Sequence, residues 1–190
     1  MTNDLDTDQL KKECWEKRFF SFGTAQLFER RVRHLGWKRR TIIFLGFATP
    51  IFIGAYVTTY NAESQVLKNI LLPIVGVVSI VQFLVSFWSL VARWDENYAY
   101  AVSSVKVNTR LTADFQQLAT APRETLIRDI ERLRFEYDRQ SEDDSAQEIT
   151  PEEKRFGQRS ALFQYGSTCP ICAQIPKSMA PSDCDSCGNF

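Results

Sequence analysis

Four cysteines near the end of the chain constrain its fold more than any other feature. They stand as Cys169-Pro170-Ile171-Cys172 and Cys184-Asp185-Ser186-Cys187, with eleven residues between the pairs. Two CxxC turns this close can bring four thiolates around one tetrahedral ion, at about 2.3 Å each for zinc. The spacing predicts a small zinc ribbon: one structural Zn2+ held by Cys169, Cys172, Cys184 and Cys187. All-thiolate tetrahedral sites also take iron, in the manner of rubredoxin. Two disulfides are the competing use of four cysteines, and the redox compartment decides between them.

The compartment follows from two uncharged segments of membrane length. Thr41–Tyr60 has twenty residues without a charge, which span about 30 Å as a helix, the thickness of the hydrocarbon core. Ile70–Ala92 has twenty-three, enough to cross with some tilt. A mean hydropathy of −0.24 hides them, because nearly all charge lies outside residues 41–92. Buried helices of soluble proteins seldom run uncharged this far. A cleaved leader has a different layout, since forty residues, several of them acidic, precede the first window. The expected fold class is mainly α: a membrane helical hairpin of two transmembrane helices, flanking cytoplasmic helices, and the small C-terminal zinc ribbon.

Lysine and arginine near the membrane ends orient such a hairpin. Arg30, Arg31, Arg33, Lys38, Arg39 and Arg40 precede the first window, and Arg93, Lys106 and Arg110 follow the second. The Asn61–Asn69 loop between them offers only Lys68. Both termini are therefore expected in the cytoplasm, with Trp37 and Trp94 at the inner boundary and Tyr56 and Tyr60 near the outer one. A cytoplasmic tail is kept reduced, so the paired CxxC turns read as a metal site rather than disulfides. Cys14, alone on the same side, reads as a half-buried small residue on an amphipathic helix.

The chain then divides into residues 1–40, cytoplasmic or interfacial helices; 41–92, the hairpin; 93–140, a cytoplasmic helical segment; 141–150, an acidic linker; and 151–190, a short helix with the ribbon. Thr7–Phe22 reads as a helix punctuated at Gly23-Thr24. Ala25, Phe28, Val32 and Leu35 recur at helical spacing in a basic stretch, which either lies at the lipid interface or docks on neighbouring helices. After Arg93 a helix runs to about Ala119, with Val102, Val105, Phe115 and Leu118 as candidate buried positions. Ala121-Pro122 starts another, whose stripe Leu126, Ile127, Ile130, Leu133 and Tyr137 needs a partner. Thr150-Pro151-Glu152-Glu153 matches a capping box, so a short helix should follow to about Gln164.

Within the second window Ser79, Gln82, Ser86 and Ser89 fall on one helical face, and Arg93 continues the line. Polar groups in a membrane helix need partners, so this face turns to protein or to water. Helix packing and an aqueous path in an oligomer are its two uses. Pro50, mid-way along the first window, predicts a kink, structural or hinge-like. No catalytic set is visible: His34 is the only histidine, there is no Walker loop, GxSxG or HExxH, and four cysteines close the metal's shell. The chain is not expected to be an enzyme. A formal net charge of zero, with only Lys177 basic around the cysteines, argues against nucleic acid as a partner.

A cytoplasmic helix, two closely spaced membrane helices and a trailing helical segment resemble the SLATT superfamily of two-helix membrane effectors. The tail, CPIC, eleven residues, then CDSC, is similar to the group described as mobilome CxxCx(11)CxxC proteins. The resemblance implies an effector of a bacterial mobile-element or conflict (anti-phage) system, in the inner (cytoplasmic) membrane. It would homo-oligomerise in the lipid bilayer to form a pore or perturb it, triggered by a separate sensor protein. The alternative is a membrane-anchored adaptor whose ribbon recruits a partner protein. By residue the resemblance reaches only Cys169, Cys172, Cys184 and Cys187.

Overall fold

The computed structural model describes residues 2–60, 65, 69, 70 and 72–190. Five α-helices follow one another: α1 (Thr2–Tyr60), α2 (Leu72–Val91), α3 (Trp94–Ala119), α4 (Arg123–Ser145) and α5 (Pro151–Tyr165), with no strand among the described residues. They form two compact units, one of Met1–Arg31 with Ala101–Phe190 and one of Val32–Tyr100.

In the first unit, the start of α1 packs with α3 and α4 around Cys14, Leu111, Phe115, Leu118, Leu126, Ile130 and Leu133. The α4 stripe therefore finds its partner within the chain. Ile127 and Val102, expected to be buried, stay 48% and 42% exposed, one at the edge of its stripe and one outside the core. Arginine–glutamate pairs fasten the helices, Arg110 of α3 to Glu136 of α4 at 2.8 Å among them. Arg134 Nε donates to Glu13 at 2.7 Å, and Arg31 donates through two nitrogens to Glu153, each at 2.5 Å. Ala25, Leu27 and Phe28 are buried, so residues 25–31 dock on protein rather than lie free at an interface.

Glycine does not end the first helix at Gly23. Instead Gly23 meets Gly157 of α5, and a Cβ on Gly157 would lie 2.6 Å from the Gly23 carbonyl oxygen. The missing side chains let the two backbones touch, which is what a mid-helix glycine is for in a helix crossing. The capping box forms as expected: Thr150 accepts from the Glu153 N–H, and Glu153 reaches back to the Thr150 N–H.

The acidic run is not a linker over its first half, because α4 continues to Ser145. Asp144 is 3% exposed and accepts from Ser104 Oγ and Asn108 Nδ2, both at 2.7 Å, and from Gln140 Nε2 at 2.9 Å. Its acidity suggests a solvated residue; two buried donors and one half-buried donor reverse that.

In the second unit, Val32–Tyr100, α2 runs beside the later part of α1. Among the described residues one helix, Leu72–Val91, is long and apolar enough to cross a membrane, and none of it is buried. The later part of α1 likewise exposes Phe44, Phe47, Ile51 and Phe52, and Pro50 lies inside that helix. Trp37 is exposed, while Lys38 Nζ sits 4.8 Å over the Trp94 ring and Arg39 pairs with Asp95. Most of the expected outer loop Asn61–Asn69, Lys68 included, and the Tyr60 side chain lie outside the described residues.

Candidate metal centre

Helix α5 delivers the chain to the cysteines through a left-handed turn. Gly166 has φ +59°, and the Ser167 N–H reaches back to the Leu162 carbonyl at 3.0 Å, the pattern by which glycine closes a helix. Cys169 and Cys187 then pack on Leu162, with Phe19 of α1 against the same cluster. Their thiols are 0% and 2% exposed, and Cys172 and Cys184 are half-buried.

Each CxxC pair folds as the same turn. The Ala173 N–H donates to the Cys169 carbonyl at 2.9 Å, and the Gly188 N–H donates to the Cys184 carbonyl at 2.8 Å. Cys169 Sγ and Cys184 Sγ are 3.9 Å apart, as are those of Cys172 and Cys187, and all four sulfurs lie within 4.8 Å of one another. A tetrahedron of zinc–sulfur bonds sets its sulfurs about 3.8 Å apart, whereas a disulfide needs about 2.05 Å. The four residues fit a single metal ion, and they are not bonded to each other. The turns stand on coil rather than on paired strands, so the expected ribbon is a pair of cysteine turns without a sheet.

Backbone amides polarise the sulfurs. Burial pushes the Cys169 thiol up, but N–H groups of Cys172 and Ile171 outweigh it and bring the pKa down to about 6. N–H groups of Ser186 and Cys187 lower Cys184 in the same way. Cys172 and Cys187 are shifted upward, Cys187 chiefly by burial. All four cysteines would bind a dication as thiolates. Cys14 stays apart, buried in the helical core, its pKa raised to about 11 by burial.

The matching family model, described as Mobilome CxxCx(11)CxxC protein, covers residues 11–190. The chain belongs to that family. Its mobilome signature residues are the four cysteines that the fold gathers here, and the match includes every helix from α2 onward. Comparison with curated proteins and with solved structures finds no match.

The expected polar stripe is placed differently. Gln82 is half-buried and its Oε1 lies 3.4 Å from Thr49 Oγ1 of α1, with its Nε2 against Gly46. Ser86 and Ser89 are half-buried on the same side, and Ser79 is exposed. Arg93 does not continue the line: α2 ends at Val91, Arg93 takes φ 50°, and its guanidinium pairs with Glu96.

Sequence reasoning missed the residues that hold the tail in place. Arg159 of α5 donates to the Ser178 carbonyl at 2.9 Å, and to Ser182 Oγ and the Cys187 carbonyl at 3.0 Å each. Arg155 donates to the Asn189 carbonyl at 3.0 Å, and Phe156 meets the Phe190 ring at 5.4 Å.

Proposed function

We propose that the chain is a membrane effector of a mobile-element or conflict system, with one structural zinc in its four-cysteine site. On this reading residues 41–60 and 72–91 both cross the bacterial inner membrane, and the two termini stay in the cytoplasm. The observation that carries it is the apolar surface of the second unit: α2 buries none of its residues, and α1 exposes Phe44, Phe47, Ile51 and Phe52 beside it. Two helices cannot cover each other on all sides, so lipid and further copies of the hairpin are the natural covering. Family membership supplies the mobile-element context, and the likeness to SLATT effectors supports self-association triggered by a separate sensor. The zinc has no catalytic part, because protein fills its coordination.

The test is overproduction in a bacterial host with membrane potential and crosslinked oligomer measured together. The effector reading expects depolarisation that rises with oligomer yield. Abundant, inserted, oligomeric protein that leaves the potential intact, even with its trigger present, rules it out.

A second reading has its own observation. Gln82 meets Thr49 within the same chain, which spends the stripe's most polar group on packing and weakens the pore-lining role. At the first cysteine turn Ile171 and Ile175 are 69% and 50% exposed, an apolar tip that suits protein recognition. A membrane-anchored adaptor would recruit its partner there, and Ile171→Asp would abolish recruitment while leaving metal and insertion unchanged.

A further inference from the structure

Within the second unit, α1 and α2 leave a groove of about 350 Å³ between them, a volume in the range of small-molecule sites. Most of its wall is apolar, with Ile42 and Leu45 on α1 and Val77, Val78, Val81 and Val85 on α2. From Val77 to Val85 that wall runs about 12 Å, at 1.5 Å per residue. Gln82 also lines it, but its amide is turned to Thr49 and Gly46 of α1. The end at Trp37, Lys38 and Trp94 has a different chemistry. There Lys38 Nζ sits 4.8 Å over the Trp94 ring, and among the described residues no carboxylate pairs with it. Neighbouring cations are engaged: Arg39 pairs with Asp95, Arg93 pairs with Glu96, and Arg40 donates to the Gly36 carbonyl at 3.3 Å. An apolar slot with one uncommitted ammonium at its mouth is complementary to an anionic amphiphile.

We propose that this groove binds one anionic phospholipid, its phosphate on the Lys38 ammonium and one acyl chain along Leu45, Val78, Val81 and Val85. The inference rests on the reading that both apolar helices lie in the inner membrane, and it names a lipid that the hairpin holds there. Charge complementarity selects the occupant. A phosphate against Lys38 makes a charge-assisted contact, and Trp37 and Trp94 suit the headgroup boundary, where amphipathic rings sit. A zwitterionic lipid brings its own cation beside Lys38, which an anionic one does not. A second copy of the hairpin fits the mouth less well. Copies inserted the same way bring the same basic end to the same level, and the acids there, Asp95 and Glu96, are already paired.

The experiment titrates phosphatidylglycerol and phosphatidylcholine of matched chains into the full chain in mild detergent, with bound lipid counted by native mass spectrometry. Fractionation of expressing cells comes first. Protein recovered apart from the membrane overturns the insertion reading and this proposal with it, whereas inserted protein without a lipid preference overturns this proposal alone. Wild type should bind one phosphatidylglycerol about fivefold more tightly than phosphatidylcholine, the factor that one basic residue contributes against an anionic lipid. Lys38→Gln should lose that preference, and Lys38→Arg should keep it. Arg40→Gln removes an equal charge outside the groove lining and should keep the preference within about twofold. Val81→Trp fills the groove and should lower binding of both lipids. Equal losses in Lys38→Gln and Arg40→Gln would make the attraction a diffuse surface effect and overturn the site. Displacement of the lipid by inorganic phosphate would overturn a lipid as the source of the phosphate. A Val81→Trp protein that keeps its lipid but loses crosslinked oligomer would give the groove to a second copy and overturn the proposal. If Val81→Trp fails to insert, the Lys38 and Arg40 variants decide alone.

Discussion

Ala173 and Gly188 occupy the same place in the two cysteine turns, one residue past the second cysteine, and each is constrained differently. Ala173 sits at φ 54°, a left-handed conformation that costs an L-residue about 1–2 kcal/mol. Ala173→Gly should therefore raise the stability of the loaded tail by up to about 1 kcal/mol, less than the full strain because glycine frees the unfolded chain. Gly188 has ordinary φ, but a Cβ there would lie 1.9 Å from the Ser182 carbonyl oxygen. Gly188→Ala should break the second turn and lose metal, as read by metal content and thermal melting; an alanine variant that stays loaded and stable would refute that packing. Cys14 gives a third residue-scale expectation. Its thiol is 0% exposed, and burial raises its pKa from 9.0 to about 11, so the neutral form favours the fold below pH 9 and that contribution disappears as pH rises through 11. At pH 8 native protein should leave Cys14 unalkylated, with reaction only on unfolding. Rapid native modification seen by mass spectrometry would place it outside the core. None of these three roles shows in residue type alone: a glycine held by a carbonyl and an alanine held left-handed look like any loop positions.

The helix elements were legible where a period or a cap declared them. Pro122 stands at the N-cap, one residue before α4 begins, and Thr150-Pro151-Glu152-Glu153 opens α5 with the capping box its chemistry requires, since both signals act over one turn. The unreadable parts depended on distant partners. Gly23 reads as a helix break until Gly157 is seen opposite it, and Asp144 reads as a linker acid until Ser104 and Asn108 close on it. Gly157→Ala sets two magnitudes against each other. Propensity favours alanine by about 1 kcal/mol, while overpacking a tight contact costs about 1–3 kcal/mol. With backbone only 2.6 Å from the new Cβ, overpacking wins, and the melting temperature should fall; a rise would mean that α1 and α5 separate without cost. Acid should loosen the same helices. Burial raises Glu153, but Arg31 outweighs it, and Glu13 is lowered first of all by its bond to Arg134. Both carboxylates thus ionise below the ordinary 4.5, so their stabilisation is complete above that value and is lost as pH falls through the depressed ones. Helix content followed by circular dichroism should hold at pH 5 and decline only below 4.5, and a midpoint above 4.5 would contradict the pairing.

At the scale of the whole molecule, the sequence's two distinctive features fall in different units: the apolar helices within Val32–Tyr100, the cysteine site within Met1–Arg31 and Ala101–Phe190. Cysteine spacing was readable because a tetrahedral site fixes ligand number and separation almost independently of the surrounding fold. The surrounding fold was not readable. The tail's seat joins Phe19 of α1 to Leu162 and Arg159 of α5, and among the described residues no strand supplies the sheet that usually accompanies such turns. The measurement that tests the account most directly is metal content of the full chain purified in mild detergent without added metal, by elemental analysis and visible absorption. The account predicts one zinc per chain, no iron–thiolate colour, and loss of the metal in Cys184→Ser with the helices retained. Metal-free protein, or cysteines recovered as disulfides from intact cells, would contradict it.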